Sequence, residues 1–302
     1  MSSQYFRFSA RAMPELRRAA LLERLLARAD GFETVANWRA DAFRVVAPDA
    51  SMPAIASAAL FASQGAVEAG WVCLATPVHY VADMTSVRLP QDGILSMQYA
   101  AGAMLAEDFN RVWKGSGCRL IAGGSAHLYC AFDETLEVAT RDPEEALGQY
   151  IEEYLPLGAS APQLRRLMSE IEMWLFEHQV NRAREASSLP RINGLWLWGG
   201  GTPVAALPEI AGRIAGDDVF FNAFSSRTGQ KNDGAVIIAP AVPGTEGWSD
   251  TEHRWLKPAL AQLRAGTLSR LEISAGLRRF TLTRRAAWRF WRRSTPWWES
   301  FA

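Results

Sequence analysis

Apolar positions recur at helical spacing along several stretches of the chain and gather into short unbroken runs along others. Residues 13–29 place Leu16, Leu22, Leu25 and Leu26 on one stripe, with Arg17, Arg18, Glu23 and Arg24 opposite, which predicts an amphipathic helix. Ala54–Ser63 predicts a small-residue helix closed by Gln64-Gly65, and Gln98–Trp113 a helix ending at Gly115. Asp142-Pro143 has the character of a cap followed by proline at the first helical position, opening a helix through Glu153. The longest predicted helix runs from Pro162 to Glu185, with Leu164, Leu167, Met168, Ile171, Leu175 and Val180 on its apolar side. Leu207–Ala215 predicts a short helix, and Asp250–Arg264 one capped by Ser249 or Asp250. Between them, Trp71–Ala75, Asn193–Trp198, Val219–Phe224 and Ala235–Ala239 predict core strands, and Val87–Leu89 an edge strand. Two hairpins are predicted: Cys118–Ala122 with His127–Phe132 through Gly123-Gly124-Ser125, and Leu268–Ser274 with Leu277–Arg284 around Ala275-Gly276.

Helices and strands interleave throughout, so the expected class is α/β: a mixed sheet flanked by helices, with a small C-terminal hairpin and a basic-aromatic tail. A main domain over 1–245 and a C-terminal piece over 246–302 are expected. The 302 residues carry 32 Lys+Arg against 32 Asp+Glu, and 49% are hydrophobic, as in a folded chain able to bury a full core. That balance argues against a general polyanion binder. It conceals a skew, because from Gly276 onward there are seven Arg and one Glu. Cys73, Cys118 and Cys130 form no CxxC pair and lie in apolar surroundings, as buried free thiols do. Neither a signal-type leader nor an apolar run long enough to span a bilayer stands out, so the cytoplasm is the expected compartment.

Candidate chemistry is sparse. His79, His127, His178 and His253 form no metal-type spacing with one another. The sequence lacks GxSxG, a Walker-type loop and GxGxxG opening a helix. Gly199-Gly200-Gly201 follows a strand, and either its amides cradle an anion or the turn needs glycine for backbone geometry. Glu170, Trp174, His178 and Asn181 fall close to one helix face, and His178, Asn181, Arg182 and Arg184 cluster where the helix runs out. At a helix C-terminus the macrodipole would favour protonated His178. Two readings are open: an anion pocket of His178, Asn181, Arg182 and Arg184 beside the glycine turn, or arginines that cap carbonyls and pair with Glu177 or Glu185.

His178-Gln179-Val180-Asn181, followed by Leu189-Pro190-Arg191-Ile192-Asn193-Gly194-Leu195-Trp196-Leu197-Trp198-Gly199-Gly200-Gly201, resembles the HPVN…PxxNxxWxWGxG segment of archaeal-type cofactor-independent phosphoglycerate mutases, of the alkaline-phosphatase superfamily. Residues 68–205 also resemble a proteobacterial group of RpfE-type regulatory proteins. That resemblance rests on Trp71 and on Thr76-Pro77-Val78-His79-Tyr80 with Asp83, and more weakly on Trp288–Arg293. The resemblance implies an α/β fold and ligand-binding candidates at His79, Asp83, His178, Asn181, Arg182, Arg184, Asn193, Trp196, Trp198, Gly199, Gly200 and Gly201. In the enzymes it also implies two divalent ions, Mn or Mg, held by Asp and His beside a Ser or Thr nucleophile. Here Asp30-Gly31 ends a predicted helix, His253 is the sole histidine after Gly201, and Asp217, Asp218 and Asp233 lack histidine partners.

The expected function is therefore a phosphoglycerate-mutase-like regulatory or binding protein without the two-metal site and without a cofactor, whose partner is a small anion or a protein. One alternative is a metal-dependent mutase or phosphotransferase with diverged ligands. The other is a nucleic-acid-binding regulator acting through Arg278, Arg279, Arg284, Arg285, Arg289, Arg292 and Arg293, interleaved with Trp288, Phe290, Trp291, Trp297 and Trp298. The same residues suit a membrane interface, or a tail docked on the body of its own chain.

Overall fold

The computed structural model describes residues 3–7, 19–124, 126–225, 234–238, 251–275 and 277–301. Residues 13–18 of the first predicted helix, Ser125, Asp233, Ala239, Ser249, Asp250 and Gly276 lie outside them. The chain divides into two compact units, Met1–Met52 with Pro208–Ala302, and Pro53–Leu207.

The first segment supplies β1 (Ser3–Arg7), α1 (Ala20–Arg28), β2 (Gly31–Thr34) and α2 (Trp38–Val46). The second unit follows with α3 (Ile55–Gln64), β3 (Trp71–Val78), β4 (Val81–Ala82), β5 (Val87–Arg88), α4 (Tyr99–Val112), β6 (Cys118–Ala122), β7 (Leu128–Phe132), α5 (Ala161–Phe176), α6 (Gln179–Ala186) and β8 (Gly194–Gly201). The chain then returns to the first unit through β9 (Arg213–Ala215), α7 (Val219–Asn222), β10 (Gly234–Ile238), α8 (Lys257–Ala265), β11 (Arg270–Ala275), β12 (Arg278–Thr283) and α9 (Trp297–Phe301).

The first unit is built on a mixed six-stranded sheet, ordered β2-β12-β11-β1-β10-β9. β1 runs parallel to both β10 and β11, while β12 runs antiparallel to its two neighbours, β11 and β2. The C-terminal hairpin is thus part of the main sheet, not an appendage. Alternation along β1 sends Tyr5 and Phe6 to opposite faces. Phe6 joins a core with Leu22, Leu25 and Leu26 of α1, Leu263 of α8 and Ile273 of β11. Helix α2 packs against β1 and β10, and its Phe43 ring lies 5.6 Å from those of Phe220 and Phe224.

The second unit holds an antiparallel sheet, β6-β7-β3-β8. Leu105 and Phe109 of α4 and Leu164, Leu167, Met168, Ile171 and Leu175 of α5 join Trp71, Cys73, Cys130 and Leu197 in its core. Small residues in α3 let that helix lie close to β3 and β8. Cys73 and Cys130 are register partners and buried, whereas Cys118 is only partly buried, and all three are free thiols. Burial and mutual hydrogen bonding push the Cys118 thiol far above its usual range. No helix among the described residues is long and apolar enough to cross a membrane.

Several predicted elements change. The predicted helix at 162–185 is two helices, α5 and α6, because the backbone of His178 turns extended (φ −66°, ψ 139°). Val219–Phe224 is not a strand but begins as α7, whose first amides are capped by Asp218. Leu207–Ala215 is not helical: its last residues form β9, paired parallel to β10. The helix expected from Asp142 to Glu153 is two 3-10 turns, Pro143–Ala146 and Ile151–Tyr154. Gly148, at φ 76°, stands between them and stops the helix.

Candidate functional site

The residues singled out by the resemblance all lie in the second unit. His178 ends the break between α5 and α6 and caps α6: its Nδ1 accepts a hydrogen bond from the Val180 amide at 3.2 Å. That leaves the proton on Nε2, which donates to Asp108 Oδ2 at 3.2 Å. Its ring rests 4.6 Å from that of Trp174. Asn181 is 2% exposed, donates through Nδ2 to the carbonyls of Leu175 and Ile192, and accepts the Ile192 amide on Oδ1. One side chain thereby ties the end of α5 and the start of α6 to the approach of β8.

Asn193 works the same way one residue later. Its Oδ1 accepts the Tyr80 amide at 2.7 Å and its Nδ2 donates to the Tyr80 carbonyl at 2.9 Å. His79 donates Nδ1–H to the Arg191 carbonyl at 2.9 Å. Arg184 donates to the carbonyls of Pro190 and Ser96, and Arg182 is exposed. Asp83 is an exposed turn residue whose Oδ1 accepts the Met84 amide. On β8, Trp196 donates to the Arg141 carbonyl and Trp198 to Thr76 Oγ1, each at 2.8 Å.

The glycine run ends the strand β8 itself. Gly199, at φ 66°, gives its amide to Thr140 Oγ1, and the β3–β8 register slips beside it in a bulge. A side chain on Gly199 would meet Ile55, and one on Gly201 would meet Ala54. A Cβ on Gly200 would overlap the indole of Trp71, which is buried. Gly200→Ala is therefore expected to cost about 2–3 kcal/mol through overpacking, read as a lower urea midpoint. Unchanged stability would contradict this packing reading. Seven steps of β8 at about 3.3 Å separate Gly194 from Gly201 by roughly 23 Å. The structure thus brings His178, Asn181 and Ile192 together and Asn193 beside Tyr80, but it leaves the glycine run at the far end of the strand.

The position of His178 corrects the electrostatic expectation. It begins a helix rather than ending one, so the macrodipole opposes its protonation. Burial lowers its pKa from 6.5, and the neighbouring Asp108 only partly offsets this. Asp108 itself is held below the usual carboxylate value: burial would raise it, but the Gln179 hydrogen bond and the Arg111 and His178 charges outweigh burial. Because the unfolded chain binds a proton on His178 more readily than the folded chain, this contribution is fully present above pH 6.5 and lost as pH falls through the folded value. His178→Asn keeps a cap acceptor and removes the titration. Its thermal melts between pH 7 and pH 5 are expected to fall less steeply than wild type; identical slopes would contradict the assignment.

Among the described residues, no three His, Cys, Asp or Glu side chains stand together as a metal site requires. His178 has both ring nitrogens bonded inside the fold and is not free to ligate, while His79 is bonded there through Nδ1. Sequence reasoning missed Asp108, distant in sequence from His178, and missed two features of the first unit. One is a buried ion pair, Arg39 Nη2 to Asp218 Oδ2 at 2.9 Å. The other is a cationic cavity between α1 and α8; Arg24 and Arg28, four residues apart, were its only visible signal.

No family model and no curated protein matches the chain. Among solved structures, the cofactor-independent phosphoglycerate mutase from Thermoplasma acidophilum DSM 1728 is similar at 12% identity, with 93% of this chain and 89% of that chain covered and a TM-score of 0.38. The PH0037 protein from Pyrococcus horikoshii is similar at 10% identity, with 93% and 87% covered and a TM-score of 0.41. Scores this low establish neither a shared fold nor a shared activity.

Proposed function

We propose that this chain is a phosphoglycerate-mutase-like regulatory or binding protein of the RpfE type, not a two-metal phosphotransferase. The observation that carries the reading is the engagement of His178, Asn181 and Asn193. The polar atoms a phosphotransfer site would aim at a ligand are hydrogen-bonded to the chain's own backbone or, at His178 Nε2, to Asp108. The motif that resembles an enzyme segment thus acts as a clamp between α5, α6, β3 and β8. Metal analysis tests this: protein incubated with Mn²⁺ and desalted is expected to retain no stoichiometric ion, and one or two ions held per chain would overturn the reading.

A second reading is favoured by the tail. Arg289 and Arg292 are bonded to carbonyls of residues 27–29, and Trp297 is buried, so part of the tail docks on its own unit. Trp288, Phe290 and Trp291 remain 55%, 77% and 68% exposed, near the exposed Arg284, Arg285 and Arg293. Stacking on single-stranded nucleic acid would use that surface. Binding to an oligothymidylate that falls steeply with salt and is lost in Trp288→Ala with Trp291→Ala supports it; no binding at low salt overturns it.

A further inference from the structure

Helix α1 and the segment leading through the π-helical turn Glu252–Leu256 into α8 bury their apolar sides in one core, through Leu22, Leu25, Leu256 and Leu263. Between their outer sides lies a cavity of about 330 Å³, within the first unit. Its wall carries Arg24 and Arg28 of α1, four residues apart on one helix face, and Lys257 and Arg264 of α8, two turns apart. His253 and a single carboxylate, Glu252, complete the charged lining. That carboxylate is already engaged: its Oε1 accepts the amides of Leu21 and Leu22 at 3.0 and 2.9 Å.

The four cations share the lining with one carboxylate. Among the described residues none of Arg24, Arg28, Lys257 and Arg264 makes an ion pair. Arg24 donates Nε to its own helix at Ala20, and Arg28 donates Nη1 to the Ala287 carbonyl. The Arg264 guanidinium lies 5.7 Å from the centroid of the half-exposed Trp288 ring. Burial and the charges of Arg264 and Arg24 hold Arg28 below the ordinary guanidinium value, the mark of like charges crowded together. A concave wall of this sign, in the size range of small-molecule sites, concentrates anions. Guanidinium forks match phosphoryl oxygens two at a time, and several fixed positive charges favour a ligand with several negative ones.

We propose that this cavity binds a small phosphate-bearing anion, its phosphoryl oxygens received by Arg24, Arg28, Lys257 and Arg264. The inference deepens the binding-protein reading above by naming a ligand class and a site. The bearer of the phosphoryl groups is either an inorganic polyphosphate or a nucleotide whose base stacks on Trp288.

The test is calorimetric titration of the full chain with inorganic pyrophosphate, tripolyphosphate and ATP at physiological salt. Saturable one-site binding of at least one probe is expected, weakened about 10-fold or more by Arg24→Ala and by Lys257→Ala, since each removes a charge-assisted hydrogen bond. Arg213→Ala, exposed and outside the cavity lining, is expected to bind as wild type. Thermal melts check that each variant is folded. ATP bound more tightly than tripolyphosphate, with the difference lost in Trp288→Ala, supports the nucleotide; equal binding supports the polyphosphate. No saturable binding, the same loss in Arg213→Ala as in Arg24→Ala, or binding of an oligonucleotide alone overturns the site. Binding accompanied by hydrolysis keeps the site and overturns the binding-protein reading. Absent binding removes the site and leaves that reading to its metal test.

Discussion

Replacing Asp218 with alanine is expected to cost about 4–6 kcal/mol of folding free energy, more than any other single truncation proposed for this chain. Two losses combine. Asp218 Oδ2 faces the Arg39 guanidinium, with Nη2 at 2.9 Å and Nε at 3.0 Å, and both side chains are less than a tenth exposed. Removing the carboxylate breaks a buried ion pair, a loss of about 3–5 kcal/mol. Its other oxygen, Oδ1, accepts the amides of Phe220 and Phe221 and so opens α7, a cap of about 1 kcal/mol. The neighbouring Trp38 ring, 4.5 Å from the Arg39 guanidinium, partly shelters the remaining charge and sets the lower end of the range. Asp218→Asn keeps the cap acceptor and loses the charge, so it is expected to lose about 1 kcal/mol less than the alanine variant. Urea unfolding of the two variants separates the contributions; equal losses would mean that the cap contributes nothing.

Asn181→Ala is expected to destabilise by about 2–5 kcal/mol, because it takes the side-chain partner from both buried backbone groups of Ile192 and one hydrogen bond from the Leu175 carbonyl. The Ile192 carbonyl, 2.8 Å from Nδ2, loses that donor and the Ile192 amide, 2.8 Å from Oδ1, that acceptor, while the Leu175 carbonyl, 2.9 Å from Nδ2, keeps the His178 amide. Neighbouring polar side chains do not replace them at 2% exposure, and water entry would need the α5–α6 corner to open. Asn181→Asp keeps the acceptor but sets a carboxylate against two carbonyls, so it is expected to lose at least as much. A residue kept for ligand contact would behave otherwise: its alanine variant would hold its stability and lose only binding. Denaturant unfolding distinguishes these directly.

Much of the architecture was legible where local signals were strong. The apolar runs of β3, β7 and β8 and the turn residues of both hairpins placed strands that the fold contains, and Gly65 closed α3 where expected. Failures fall where a distant partner decides. Val219–Phe224 is short and apolar, a pattern shared by buried strands and helices; the Asp218 cap and the aromatic packing on Phe43 decide for helix. Arg213–Ala215 is extended because β10 lies beside it, a pairing without local signature. The α5–α6 break is invisible to apolar periodicity, since Val180 continues the buried stripe after His178 has turned the chain. At the site, residue types were read correctly as polar and clustered, but the direction of their hydrogen bonds was not. The same Asn-His-Arg set that suits an anion also suits a clamp on carbonyls. The cationic cavity needs α1 and α8, more than 200 residues apart, to stand side by side.

The central claim is that the enzyme-like motif serves the fold. Its most direct test is turnover by the wild-type protein, with Mn²⁺ or Mg²⁺, on 3-phosphoglycerate and on a generic phosphate monoester. No metal-dependent conversion above a no-protein control is predicted. Metal-dependent isomerisation or hydrolysis, abolished in a folded His178→Asn variant, would contradict it.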